Sequence, residues 1–335
     1  MMQRLVHKYP VAFFRVHTDT GGEEGNGYMR IAIIGTGAVG GYYGALLQQS
    51  GADVHFLLRR DYAHVREHGL QIYSPRGDIR LPEVAAYARP TDMPRCDLVI
   101  VALKTTANSV LDDILPHVLA ENGVVLTLQN GLGADTYIAA IVGDDRVLGG
   151  LCFLCANKEA PGVIRHVDYG LITLGEYRAD GKAGGITTRL ENVGALLSHA
   201  GMEIQVIDDL LAARWRKLVW NVPFNGLSVV HDCLTDVIMR NPETRSLSRR
   251  LMEEVAAASA ICARPIEESF LDKMMSHTDK MEPYAPSMKL DFDAGRPMEL
   301  EAIYGIPLRV ASEAGVAMPE TQALHKKLQQ LQGGS

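Results

Sequence analysis

Lys217, Asn221 and Asn225 recur at i, i+4 and i+8 within Trp215-Arg-Lys-Leu-Val-Trp-Asn-Val-Pro-Phe-Asn225. This spacing places one ammonium and two amides on one face of a helix. Their neighbours Leu218, Val219, Trp220, Val222 and Phe224 are apolar. The polar stripe therefore belongs to a largely buried helix, where polar groups need partners. Apolar surroundings disfavour a lysine's charged form and bring its pKa towards the range useful for proton transfer. Such an ammonium can stabilise, and then protonate, the alkoxide formed when hydride reaches a carbonyl carbon. A plainer reading fits the same residues: a lysine with a packed stem and a wet head, and asparagines bonded to nearby backbone. Pro223 lacks an N–H and clashes with the preceding turn, so a kink is predicted between Asn221 and Asn225.

A hydride source is suggested near the other end of the chain. Arg30 to Ile34 reads as a buried parallel strand that runs through Gly35-Thr36-Gly37-Ala38-Val39-Gly40 into a helix. The G-x-G-x-x-G spacing supplies a tight turn, a close backbone approach to a pyrophosphate, and close packing of helix on strand. The helix N-terminus then faces the phosphates. Alone, such a turn also fits an ordinary strand–turn–helix.

The elements downstream add weight to the cofactor reading. Asp53 to Leu58 reads as a second strand, and ligands of open α/β sheets lie beyond the carboxyl ends of the strands. Arg59 stands at that end, where an acidic residue would bind the ribose 2′-hydroxyl of NAD. A guanidinium instead suits a 2′-phosphate, so NADP is the expected cofactor. Asp53 lies at the wrong end of the strand for a ribose contact. The runs Leu98 to Leu103 and Val124 to Leu128 end in Lys104-Thr105-Thr106 and Gln129-Asn130-Gly131. Three successive strands thus end in a cation or an amide.

With 335 residues and 47% apolar content, two domains with two cores are expected. A net charge of −7 argues against nucleic acid or an anionic membrane surface as partner. No apolar run approaches the ~20 residues of a membrane span. Five scattered cysteines make no disulfide framework, so a cytoplasmic location is expected. Cys152-Phe-Leu-Cys155 has redox-motif spacing but sits in an apolar strand-like run, and His64 with His68 reads as a solvated helix face. No metal site is expected.

Residues 1–28 are read as an extension outside the fold, with Met29 as the hypothetical natural start. Strands are expected at Leu151 to Ala156, Gly162 to Val167, Leu171 to Tyr177 and Met202 to Ile207, with a helix at Thr187 to His199. Beyond Asp208 the period turns helical. Helices are expected at Leu210 to Val230, Pro242 to Cys262, Ile266 to His277, Arg296 to Ala314 and Pro319 to Leu331. The expected architecture is an α/β Rossmann-type doubly wound domain over 29–208, followed by an all-α C-terminal domain over 209–332. The reacting cleft is expected between them.

From Met29 to near its C-terminus the chain resembles the ketopantoate reductase (2-dehydropantoate 2-reductase) family. The resemblance rests on the glycine turn, Leu58-Arg59, Leu103-Lys104, Gln129-Asn-Gly-Leu-Gly133, Lys217-Leu-Val-Trp-Asn221-Val-Pro-Phe-Asn225, Pro286-Ser-Met288 and Ala294-Gly-Arg-Pro-Met-Glu299. It implies NADPH-dependent reduction of ketopantoate to pantoate, on the route to coenzyme A. Lys217 is then the counterpart of the catalytic acid, and Glu299 of the carboxylate that supports the lysine and a substrate hydroxyl. Asn130, Asn221, Asn225 and Ser287 fall on the substrate side. Arg59 and Lys104 belong to the cofactor site, which Asn130 and Glu299 also border. Dimerisation is a further family expectation.

Taken by themselves, Glu299 also fits a first-turn helix carboxylate, and Ser287 a helix N-cap. Tyr284, where the family often has a small amide, Pro223, and Met298-Glu-Leu-Glu301 depart from the family pattern. These departures bear on the substrate rather than on hydride chemistry. The alternatives are a paralogue acting on another 2-oxo acid, a β-hydroxyacid-type dehydrogenase, or a non-enzymatic NADPH sensor.

Overall fold

The computed structural model describes residues 29–334, so the expectation for residues 1–28 lies outside the described residues. β1 (Arg30–Ile34) leads into α1 (Ala38–Gln49), β2 (Asp53–Leu57) and α2 (Tyr62–His68). Three short strands follow: β3 (Leu70–Tyr73), β4 (Ile79–Leu81) and β5 (Ala85–Tyr87). Next come β6 (Cys96–Val101), α3 (Leu111–Val118), β7 (Leu119–Thr127) and α4 (Ala134–Val142). The long strands β8 (Val147–Ala160) and β9 (Val163–Glu176), then α5 (Thr188–His199) and β10 (Glu203–Val206), complete the sheet-bearing part.

The sheet runs β5-β2-β1-β6-β7-β8-β9-β3-β4, with β10 also beside β9. Pairing is parallel from β5 through β8. The long β8–β9 hairpin turns the sheet antiparallel. Side chains alternate across a strand. Ile31 and Ile33 of β1 accordingly join the core beneath α1 and α5, while Ala32 and Ile34 join the core beneath α3 and α4. All four are at most 1% exposed, which is why the run is apolar throughout rather than alternating. Burying each isoleucine contributes roughly 2 kcal/mol.

The runs at 162–167 and 171–177, read as two strands, are one. β9 is continuous, and Tyr169, at φ 62°, lies beside a register shift opposite Phe153 and Leu154. His166, Asp168 and Tyr169 interrupt the apolar pattern without ending the pairing.

The remainder is helical: α6 (Leu210–Val230), α7 (Thr235–Arg240), α8 (Pro242–Ile261), α9 (Glu268–Lys280), α10 (Ser287–Asp293), α11 (Ile306–Glu313) and α12 (Pro319–Gly333). Trp215, Leu218, Val222, Phe224 and Leu227 of α6 form the spine of its core. Asp209 caps α6 by accepting from the Ala212 N–H at 2.9 Å. Pro223 does not break α6, which continues to Val230. The short α7 carries too few repeats to register as a period, and α10 is foreshadowed only by the helix-start reading of Ser287.

The helix expected from Arg296 starts instead at Leu300 and passes through a π-helical turn, Glu301–Gly305. Pro307 has no N–H to give the Ile303 carbonyl, and the ladder slips by one residue, with the Ile306 N–H bonding the Glu301 carbonyl. Among the described residues, no helix is long and apolar enough to cross a membrane.

Candidate active site

The carboxyl ends of β1, β2, β6 and β7 open on one edge of the sheet. At the first, Gly35 holds φ 97°, and a Cβ there would lie 2.7 Å from the Leu103 nitrogen. A Cβ on Gly40 would lie 2.3 Å from the Gly35 carbonyl oxygen, so helix and turn touch. A Cβ on Gly37, by contrast, would meet nothing within 4 Å. The turn is thus closed by its own backbone at two glycines and open at the third.

Ala38 and Val39 begin α1, which has no side-chain cap and no acid in its first turn. Its leading N–H groups suit a phosphate. The Thr36 hydroxyl donates to the Leu57 carbonyl at 3.3 Å and joins this turn to the end of β2. Arg59, exposed just beyond β2, forms no ion pair among the described residues. An open glycine, an uncapped helix start and a free guanidinium together fit an anionic dinucleotide.

Lys217 reaches from α6 across to the sheet. Its Nζ donates to Asn130 Oδ1 at 2.8 Å and to the Cys152 carbonyl at 2.7 Å, and lies 5.1 Å from the centre of the Phe153 ring. An ammonium has three donors, so one is left for a ligand. Burial brings Lys217 down from 10.5 to about 8. The Cys152 thiol opposes that fall and Arg214 adds to it, while Glu299 favours the charge. Asn221, 7% exposed, makes no side-chain hydrogen bond among the described residues. It lines a shallow recess with Gly131, Leu151, Arg214, Lys217 and Leu218.

Glu299, 3% exposed, stands just before the helix that starts at Leu300. Its Oε1 accepts from both the Thr105 N–H and hydroxyl at 2.9 Å, and its Oε2 lies 3.4 Å from Lys104 Nζ. It therefore ties the helical part to the end of β6 rather than serving its own helix dipole. Lys104 also meets the buried Asp291 of α10 at 2.8 Å. Burial works against the Lys104 charge, but Glu299 and Asp291 outweigh it and raise its pKa.

Asn225 holds the next turn of α6 on the same face. It is 2% exposed and its Oδ1 accepts from the Met288 N–H at 3.1 Å. Its amide oxygen thus anchors the start of α10, and no hydrogen bond of its Nδ2 is found among the described residues. Ser287 is the first residue of α10 and provides no cap to it.

Tyr284 packs its ring 6.3 Å from that of Trp220. Burial, and then the neighbouring Cys155 thiol on β8, push its hydroxyl pKa well up. The residue that departs from the family pattern thus bridges the two halves of the chain. His64 and His68 are exposed on α2. Cys152 and Cys155 are free thiols within β8.

Sequence reasoning missed Arg214, Thr105, Asp291 and Phe153. Arg214 had a signal: it lies on the same face as Lys217, three residues earlier.

Residues 31–179 match the ketopantoate reductase PanE/ApbA family, and residues 209–332 match the C-terminal domain of that family. A 2-dehydropantoate 2-reductase of Nostoc sp. is 49% identical over 91% of this chain and 95% of its own. One from Halobacterium salinarum is 30% identical over 88% and 96%. The crystal structure of 2-dehydropantoate 2-reductase from Geobacter metallireducens superposes with a TM-score of 0.86 at 43% identity, covering 90% of this chain and 99% of that one. With a dinucleotide-type turn, a partly desolvated lysine held by the loop after β7, and this similarity over nearly the full length, the chain belongs to the ketopantoate reductase family.

Proposed function

We propose that the protein catalyses the NADPH-dependent reduction of 2-dehydropantoate (ketopantoate) to pantoate. The carrying observation is Lys217, an ammonium at an interdomain recess with one donor to spare and a pKa near 8. When bound, NADPH supplies the hydride for the 2-oxo carbon. Lys217 directs its third N–H at the carbonyl oxygen, stabilises the developing alkoxide and yields its proton to it. Asn130 and the Cys152 carbonyl keep the ammonium from turning away.

Asn221, a buried amide without a partner among the described residues, orients the substrate in the recess. Glu299 holds Lys104 and Thr105, and so fixes the helical domain against the edge where the cofactor lies. Ser287 faces the substrate from the start of α10. Arg59 takes the 2′-phosphate, which favours NADPH over NADH. The name carried by the 49% identical Nostoc relative supports this reading. All five cysteines are free thiols, as a reducing cytoplasm maintains them.

Lys217→Ala is the test. Turnover is expected to fall about 100-fold or more, with NADPH binding, followed by fluorescence titration, nearly unchanged. Near-normal turnover would remove the acid role.

A second reading, reduction of a 2-oxo acid with a larger apolar side chain, is favoured by the Phe153 ring, 43% exposed beside the Lys217 ammonium. A panel of branched and aromatic 2-oxo acids decides between the two by the order of kcat/KM.

A further inference from the structure

Arg214 stands one helical turn before Lys217 and is 4% exposed. Its guanidinium makes a fork between three groups. Nη2 donates to Asp135 Oδ1 at 2.6 Å, and Nε lies 2.5 Å from Oδ2. Nη1 donates to the carbonyl of Gln129 at 3.1 Å and to that of Gly131 at 3.3 Å. Those two carbonyls flank Asn130, the residue whose amide oxygen holds Lys217.

The opposite side of the same loop is held by the π-helical turn. The Ala302 carbonyl accepts from the Leu132 N–H at 2.9 Å. A Cβ on Gly131 would come within 2.4 Å of that oxygen. The loop therefore sits between a guanidinium and a carbonyl that both come from the helical part of the chain.

We propose that Arg214 is a positioning residue: by gripping the carbonyls on either side of Asn130, it aims the Asn130 amide at Lys217 and thereby sets the direction of the donor left for the substrate. This rests on Lys217 being the acid of the proposed reaction. Arginine suits the task because its planar fork presents five donors in fixed directions, whereas an ammonium is a point charge. A lysine at 214 can neutralise Asp135 but cannot span both carbonyls. The guanidinium also disfavours the charge on Lys217, so its removal has a signature beyond lost stability.

The test uses the full chain, with kcat, both KM values, the pH profile and thermal unfolding measured for two variants. Arg214→Lys keeps a cation for Asp135 and guards against simple unfolding. The double variant Arg214→Met with Asp135→Asn removes both charges, so neither is left buried and unpaired. In both, kcat is expected to fall about 10- to 100-fold, the cost of about 1 Å of misplacement, with KM for NADPH changed less than about twofold. In the double variant the basic limb of the kcat profile is expected to move to higher pH, because the cation opposing Lys217 is gone. In Arg214→Lys the limb stays in place.

A kcat within about twofold of the parent in both variants overturns the proposal. So does a double variant whose basic limb is unmoved and whose activity falls only in step with stability. Lys217→Ala, measured alongside, separates the two ideas. If it keeps turnover, the acid assignment fails. If it is inactive while both Arg214 variants work normally, only the positioning role fails.

Discussion

Lys217 sets a pH dependence whose sign and size follow from its surroundings. The fall from 10.5 to about 8 corresponds to about 3 kcal/mol of bias towards the neutral amine. At pH 7 about nine in ten molecules still carry the proton, so the acid is loaded where the enzyme works and releases its proton easily. An acid acts in its protonated form. The kcat/KM for the 2-oxo acid is therefore expected to be level below about pH 7 and to fall about tenfold per unit above pH 8. In kcat the limb is expected at higher pH, because a bound substrate carboxylate favours the ammonium.

Lys217→Arg keeps the charge but removes a proton that can be given up, since a guanidinium stays protonated. A loss of about 100- to 10,000-fold in kcat is expected, about 3 to 5 kcal/mol of barrier, with the basic limb abolished. Initial rates of NADPH oxidation between pH 6 and 10 provide the assay. A parent profile level to pH 10, or an arginine variant within about tenfold of the parent, would refute the reasoning.

The same shift has a stability side. Below about pH 8 Lys217 is charged in folded and unfolded chains alike, and the folded state carries the cost. That cost is relieved as pH rises towards 10.5. Stability of the parent is thus expected to rise between about pH 8 and pH 10.5, and Lys217→Met is expected to lose that rise in thermal unfolding followed against pH.

Three further outcomes are expected. Arg59→Ala should weaken NADPH about 10- to 100-fold, the worth of one or two charge-assisted hydrogen bonds, and leave NADH nearly untouched; equal weakening in a titration of both would exclude the phosphate role. Gly40→Ala should destabilise the fold, because its Cβ meets backbone at 2.3 Å, whereas Gly37→Ala should preserve Tm and lose NADPH affinity. Glu299→Gln leaves Lys104 with Asp291 alone and withdraws a charge that favours the Lys217 ammonium. The basic limb should move to lower pH, opposite in sign to the Arg214 and Asp135 double variant, and a limb that stays in place would dissociate Glu299 from the lysine.

The sheet-bearing half was legible where physics is local. An apolar run such as Ile31 to Ile34 has two buried faces, and the glycines that follow it gain meaning from the strand before and the helix after them. The span of α6 was legible for the same reason, since its apolar residues mark the helix from Leu210 to Val230. The partners of the site residues were harder to read. Asn225 shares a face with Lys217, yet its amide oxygen also accepts from the start of α10, a contact that spacing along α6 does not show. Glu299 was readable as a first-turn carboxylate until the fold brought Thr105, almost two hundred residues away in sequence, to its Oε1. Arg214 carried no motif because its role depends on two backbone carbonyls, which every residue possesses. The π-helical turn arises from where Pro307 interrupts the ladder, and no periodic pattern announces it.

Initial rates of NADPH oxidation by the purified protein with ketopantoate, beside the same assay with NADH, test the proposed reaction most directly. Turnover that requires ketopantoate and runs well ahead with NADPH is the expected result. Tight NADPH binding with no ketopantoate turnover would contradict it.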